Sequence, residues 1–532
     1  MLGEECLDWD IVTPGDAHTI ARQLADRLAG HYVHMHEKAS RVVVYLEDAG
    51  SADKKKEMHL DISPLIGQTI EDDLRHRDFT INAIAAPLDK VVRHLESDVT
   101  GQAPRNVGAT LAVARGTGTG DRGTGTGDQE TGADALALHL IDPLNGLADL
   151  QALRLKAVDD QVFRHDPLRM LRAVRLMMRY QLHIDPWTER LLRRDAGLLP
   201  EVAPERVHDE LYAILGPDGA ASRLHFLDEH SLFMVIFPEF APARGMRQPS
   251  PHHWDVLTHS IQTVDALEQV STLMQGKTAH PLRDGGDAQG HPHHPVGAPF
   301  TGARRGGEEA ATDVDLAEIR ILLHEAEQQG IFSFAALTAP RVKIAALLHD
   351  IGKPVTYSCD QEGAIHFYNH PLAGVPLVEQ VMRRLCASTH DRRLAQLVAA
   401  HHMRPGQLGH DGPVTPRAIR RYFVDLGPTG IYVALFSLAD HLATLGPQPT
   451  ADSWQRHLGV VRLLLTRYIR ERDSILPPRL ISPEELMRRL KLEPGPIVGQ
   501  LLDLIAEAQA ESRVHSKEEA VWFAEEKIQD IM

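Results

Sequence analysis

The run Asp73-Leu74-Arg75-His76-Arg77-Asp78-Phe79-Thr80-Ile81-Asn82-Ala83 sets two arginines, two aspartates, Thr80 and Asn82 among a few apolar anchors. It is too polar for a plain core segment. It is too patterned for a loop, because Leu74, Phe79 and Ile81 can still face inwards. A guanidinium grips phosphate oxygens bidentately, so Arg75 and Arg77 suit an anionic ligand; a salt-bridged surface element is the bland alternative. Upstream, Leu7-Asp8-Trp9-Asp10-Ile11-Val12 carries carboxylates at i and i+2. On a strand that spacing puts both on one face. Two acids converging on one point repel unless a cation sits between them, the arrangement that holds Mg2+ for phosphoryl or nucleotidyl transfer. Met58-His59-Leu60-Asp61-Ile62 reads as a strand bringing a third acid before the arginine run.

Around this centre the chain reads as a small α/β head. Residues 9–13, 31–35, 41–46 and 59–62 are expected as short strands, and 16–30 as an amphipathic helix capped by Asp16. Two tracts interrupt the pattern. In 101–135, Gly116-Thr117-Gly118-Thr119-Gly120-Asp121 recurs at 123–128; around 282–312, glycines accompany His291, His293 and His294. Neither composition buries apolar area, so both are expected as linkers, and the histidines as a solvated tract.

The totals bound the rest. A chain of 532 residues exceeds a single core and predicts three or four domains. No apolar run reaches about 18 residues, so no transmembrane helix is expected, and the acidic first ten residues lack the basic start of a signal peptide. Cys6, Cys359 and Cys386 are scattered and read as reduced thiols of a cytoplasmic protein. A net charge of −17 argues against indiscriminate nucleic-acid binding, so any RNA contact needs a local basic face. The most basic region is 163–194, where Arg169, Arg172, Arg175 and Arg179 share a helical pattern with Leu168, Leu171, Val174 and Met178. Asp166 followed by Pro167 supplies a helix start there.

Four motifs now stand in order: the Asp8/Asp10 strand, the 73–83 run, Asp142-Pro143…Gly146…Asp149-Leu150, and Asp166-Pro167-Leu168-Arg169…Leu171-Arg172-Ala173…Arg175. Together they resemble the class II CCA-adding tRNA nucleotidyltransferases and bacterial poly(A) polymerases. The resemblance implies a polymerase-β-like head in which Asp8 and Asp10 hold Mg2+ and act as the catalytic acids. Arg75, Arg77, Asp78 and Asn82 would hold the phosphates and ribose of ATP or CTP. Asp166 and Arg169, with Arg172 and Arg175 on the same helix, would bind the nucleotide and select its base; His165 stands where that motif has Glu. The family also carries a Gly-Gly turn and a Val-Arg-Asp segment ahead of the acidic strand. This sequence begins with Met1-Leu2-Gly3 after that point, which implies an N-terminally truncated head.

A second constellation follows. His259, His349-Asp350, His370, His401-His402 and Asp440 are spaced along mostly apolar helical segments, and Ile351-Gly352-Lys353 follows the His-Asp pair. A charged Asp and neutral imidazoles pointing into a helical core share a purpose if they bind a divalent cation; satisfied core histidines are the alternative. The set resembles the HD phosphohydrolases. By that resemblance His259, His349, Asp350 and Asp440 hold one metal, His370 with His401 or His402 complete a second, and Lys353 steadies a phosphate. Mixed N/O donors admit a transition metal or Mg2+.

The expected fold is therefore multidomain α+β. A polymerase-β-like head spans 1–160, an all-α neck and body 161–245, an all-α HD domain 246–450 and a helical tail 451–532. The tail starts helices at Ser482 and Ser516 and breaks at Pro494-Gly495-Pro496. The expected function is tRNA 3′-end nucleotidyl transfer (CCA-, CC- or A-adding) with phosphohydrolase activity. The alternatives are an HD phosphodiesterase or nucleotidase with an inactive head, and a non-catalytic RNA-binding protein. Partners would be nucleotides and a tRNA or other RNA 3′ end, with a homodimer allowed and no membrane.

Overall fold

Alternation in Asp8-Trp9-Asp10-Ile11 builds strand β1 (Asp8–Thr13). Trp9 and Ile11 pack on a core of Ala17, Ala21, Ala25, Val42, Val44, Leu60 and Ile62; Asp8 and Asp10 stay exposed. β2 (His31–His36), β3 (Ala39–Glu47) and β4 (Lys55–Pro64) complete a sheet of order β1-β4-β3-β2. β1 runs parallel to β4, in a register that pairs Asp8 with His59 and Asp10 with Asp61. The other pairs are antiparallel. Helix Ala17–Leu28 lays its alanines on the sheet, and Asp16 caps it by accepting from the His18 N–H at 3.1 Å. The computed structural model describes residues 7–36, 39–47, 55–89, 91, 140–277, 309–410, 412–445 and 451–531. Cys6, the 101–135 tract and His291, His293 and His294 lie outside them. Of the 282–312 tract, residues 309–312 open a helix, Glu309–Gln328.

The 73–83 run follows as a short helix, Ile70–Arg75, closed by a Thr69/Asp72 capping box, and a tight turn, Thr80–Asn82. Phe79 and Leu74 are buried as the pattern requires. The Asp142…Asp149 motif holds this turn from behind. Asp142 accepts the N–H groups of Gly146 and Leu147 at 2.7 and 2.9 Å, and Asp149 accepts the Thr80 hydroxyl at 2.7 Å. Gly146 lies against Thr80 so closely that a Cβ there would overlap the Thr80 carbonyl. The basic helix is Arg169–Tyr180, with Met170, Leu171, Ala173, Val174, Leu176 and Met177 buried. Asp166 accepts from the Leu168 N–H at 3.2 Å. The first turn bonds i to i+3, so the regular helix starts at Arg169 and not directly after the Asp-Pro pair. These elements belong to one compact unit, residues 1–198; a second spans 199–532.

The second unit is mostly helical; the expectation of an all-α HD domain is corrected by one hairpin, in which Tyr357–Cys359 pairs with Ile365–Phe367. Helix Val256–Met274 packs on Thr429–Leu445 and on Pro340–Leu348; Thr389–His401 packs on Pro340–Leu348 and on His370–Arg384. Within this bundle Lys343 is fully buried. Its ammonium donates to the carbonyls of Leu215, Gly216 and Pro217 at 2.9, 3.1 and 2.9 Å and pairs with Glu268 at 2.7 Å. Glu268 also accepts from the Gly219 N–H at 2.6 Å, so the turn after helix Pro204–Leu215 is clamped from both sides. The tail helices Pro483–Leu490, Pro496–Ala510 and Lys517–Ile531 build their own core around Leu486, Leu501 and Phe523. Ser482 and Ser516 cap as expected. Glu507 joins the tail to helix Pro416–Leu426 by pairing with Arg417 and Arg421 at 2.9 and 2.8 Å. Among the described residues no single helix is long and apolar enough to cross a membrane.

Candidate active sites

In the first unit, Asp8 and Asp10 project from one face of β1 with side chains 80% and 72% exposed. His59 Nδ1 stands 3.0 Å from Asp8. Arg41 engages Asp61 at 2.6 and 2.8 Å, which neutralises the third acid. Arg77 links the strand to the run: Nη1 is 4.0 Å from Asp10, and Nη2 is 3.0 Å from the buried Asp73. Asp78, also buried, accepts from the Phe79 N–H at 2.8 Å and the Asn82 amide at 3.0 Å, and its other oxygen meets Arg172 at 2.5 Å. Arg169 donates to the carbonyls of His76 at 2.8 Å and Arg77 at 3.3 Å. Strand, run and basic helix thus converge, through Arg77, Arg169 and Arg172. Arg75 is apart from that convergence: it is exposed and pairs with Asp72 at 3.8 Å.

In the second unit, His259 on Val256–Met274, His349-Asp350 after Pro340–Leu348, His370 at the start of His370–Arg384, His402 after Thr389–His401 and Asp440 on Thr429–Leu445 come together. Asp350 is the hub. Its Oδ2 lies 3.3 Å from His259 Nε2 and 3.0 Å from His349 Nε2. Its Oδ1 lies 3.2 Å from His370 Nε2 and 3.5 Å from His402 Nε2. Asp440 stands 3.1 Å from His259 Nε2 and 3.5 Å from His349 Nε2. Gly352 permits the approach of His370, because a Cβ at Gly352 would overlap the His370 carbonyl.

His401 is a correction. It is half-buried, with Nδ1 3.4 Å from Arg404, and belongs to none of the three groups of converging ligand atoms; His402, fully inside, takes that place. Adjacent helix positions point about 100° apart, so only one of the two reaches the centre. Sequence reading also missed Gln248 and His252. Lys353 Nζ lies 2.5 Å from Asp350, 2.6 Å from Gln248 Oε1 and 3.5 Å from His252 Nε2. The proximity of His252 to His259 in the chain was the only available signal.

The donor set fits divalent cations. Nδ1 of His349, His370 and His402 each faces a backbone carbonyl, at 2.7, 2.9 and 2.9 Å, which directs Nε2 inwards. Asp350 Oδ1 is buried and accepts no hydrogen bond. Burial alone would raise the Asp350 carboxyl, but His349 and Lys353 more than reverse this and hold it well below the usual range. Burial also works against charge on His349, yet Asp350 and Asp440 lift it to about 10. The carboxylates thus favour positive charge at this centre, which a divalent cation would supply. Burial, then His349, lowers His402 to about 4. Burial and Lys353 likewise lower His252 to about 4, which keeps it a neutral acceptor.

Residues 1–100 match the family described as poly A polymerase head domain, 181–244 the probable RNA and SrmB-binding site of polymerase A, and 330–445 the HD domain. Segments similar to a poly(A) polymerase head, its RNA-binding site and an HD domain thus follow one another along this chain. Similar proteins include the A-adding tRNA nucleotidyltransferase of Deinococcus radiodurans, 29% identical over 88% of this chain and 82% of that protein. The CC-adding tRNA nucleotidyltransferase of Thermus thermophilus is 29% identical over 70% of each. The fold is similar to that of a CCA-adding enzyme in an apo form, at TM-score 0.53 and 16% identity, covering 99% of this chain and 87% of the other.

Proposed function

We propose that this chain is a tRNA 3′-end nucleotidyltransferase of the CCA-, CC- or A-adding kind, transferring a nucleoside monophosphate from CTP or ATP to an RNA 3′-hydroxyl. The observation that carries this reading is the convergence of Asp8 and Asp10 with Arg77, Asp78, Arg169 and Arg172. Asp8 and Asp10 are hard oxygen donors and would hold Mg2+, which when bound offsets the charge of the triphosphate. Their carboxylates stand ready to accept the proton of the 3′-hydroxyl as its oxygen displaces pyrophosphate from the α-phosphorus. Arg77 would exchange its long contact with Asp10 for phosphate oxygens, with Arg75 supplying outer charge. Asp78 and Asn82 would bind the ribose, and Asp166 and Arg169, with Arg172 and Arg175 behind them, would select the base. In this reading 1–160 is the head, 161–245 the neck, 246–450 the HD domain and 451–532 the tail, in a reducing cytoplasm that suits the free, exposed Cys359 and Cys386.

The HD centre has its own reading as a phosphoesterase, supported by the buried donor set. His259, His349, Asp350, His370, His402 and Asp440 would hold one or two divalent cations, which when bound supply Lewis acidity toward a phosphoester. Lys353 would bind its phosphate. The test of the main reading is incorporation of labelled ATP and CTP, with Mg2+, into tRNAs ending before CCA, after C and after CC. Incorporation at one of these ends is the expected result and names the specificity. No incorporation at any end overturns it and leaves the phosphoesterase as the activity.

A further inference from the structure

Lys353 is almost fully buried, and its ammonium lies on Asp350 Oδ2 at 2.5 Å, the oxygen that faces His259 and His349. A divalent cation held by those groups needs the same oxygen. Two positive charges on one buried carboxylate oxygen repel strongly, because little solvent screens them. The ammonium therefore needs somewhere else to go. The segment before helix Val256–Met274 offers two neutral acceptors, both already aimed. The Gln248 amide donates through Nε2 to the Trp254 carbonyl at 3.2 Å, which turns Oε1 onto Lys353 at 2.6 Å. His252 donates through Nδ1 to the Pro249 carbonyl at 2.9 Å, which leaves its Nε2 lone pair facing Lys353 at 3.5 Å. The Phe367 ring lies 5.7 Å from the ammonium and offers it a π-face.

We propose that Gln248 and His252 are positioning residues that receive the Lys353 ammonium when a divalent cation binds, freeing Asp350 as a ligand and so setting cation affinity. The proposal rests on reading the cluster as a cation centre. Removing the acceptors would trap Lys353 on Asp350, where it competes with the cation; removing Lys353 as well would abolish the competition.

The test is equilibrium titration of the full metal-free chain with Mn2+ alone, following free Mn2+ by electron paramagnetic resonance, with a melting curve for each variant. Gln248→Leu is expected to weaken Mn2+ binding about 10-fold or more, the scale of losses on removing groups that support metal ligands. His252→Phe acts in the same direction and more weakly, as its longer contact implies. Lys353→Met in either background restores the affinity to that of Lys353→Met alone. If Gln248→Leu does not fold, Gln248→Glu, whose carboxylate draws Lys353 off Asp350 more strongly, binds Mn2+ at least as tightly as the wild type, and the His252→Phe pair carries the comparison. Unchanged affinity in folded Gln248→Leu, or a loss that Lys353→Met does not restore, overturns the proposal. Failure of the wild-type chain to bind Mn2+ overturns the cation centre itself, a distinct result.

Discussion

Asp78 accepts the Phe79 N–H and the Asn82 amide on one oxygen and meets Arg172 with the other. Arg172→Gln leaves that buried carboxylate short of its strongest partner. The expected cost is about 1–3 kcal/mol of stability, read from chemical denaturation. Nucleotide incorporation should drop by about 10²-fold as the run shifts, with Arg172→Lys in between. Asp265 makes a different case. Burial, then the neighbouring Glu268, raise its carboxyl to about 6. Between its ordinary value and 6 the native state holds a proton that the unfolded state has lost, so stability falls as pH rises through this window and stays lower above it. Asp265→Asn removes that penalty. At pH 7.5 it should gain on the order of 2–3 kcal/mol, and at pH 4 nothing, measured by paired melts at the two pH values. An equal gain at both would contradict the burial argument.

At the scale of elements, the Thr80–Asn82 turn depends on a segment more than sixty residues away in the chain. Gly146→Ala puts a methyl group into the Thr80 carbonyl. The expected loss is about 1–3 kcal/mol, with incorporation falling further than stability, since the turn carries Asn82. Lys343→Met leaves Glu268 buried without its cation and three carbonyls without their donor; the expected cost is about 3–5 kcal/mol, read as a lower melting temperature. Such elements also mark how far the sequence could be read. The four strands of the head sheet, the Asp16, Ser482 and Ser516 caps and the Asp8/Asp10 face were legible because alternation and capping are local rules; the short strand pairs Arg154–Leu155 with His183–Ile184 and Tyr357–Cys359 with Ile365–Phe367 were not. The choice of His402 over His401 was not, because both sit on one helix end and only packing decides which ring turns inwards. Nor was the grip of Arg169 on the His76 and Arg77 carbonyls, a contact across some ninety residues. Gln248 and His252 lie in irregular chain with no period to expose them.

In the function proposed above, the whole molecule carries two chemistries, each with its own carboxylates: Asp8 and Asp10 on an exposed strand face, Asp350 and Asp440 within a histidine cluster. Their environments differ as the chemistries require. Open, hard oxygen donors suit a triphosphate arriving with Mg2+, whereas buried mixed donors suit resident cations. Ordered motifs in the chain suggest both, and the relatives' A-adding and CC-adding activities bear on the first alone. The most direct measurement assays nucleotide incorporation into tRNA and phosphoester hydrolysis on the same preparations of the full chain. It compares wild type, Asp8→Ala/Asp10→Ala and His349→Ala/Asp350→Ala. The expected result is crossed: the first pair loses incorporation and keeps hydrolysis, and the second does the reverse. Incorporation that survives in Asp8→Ala/Asp10→Ala would contradict the assignment of nucleotidyl transfer to the head.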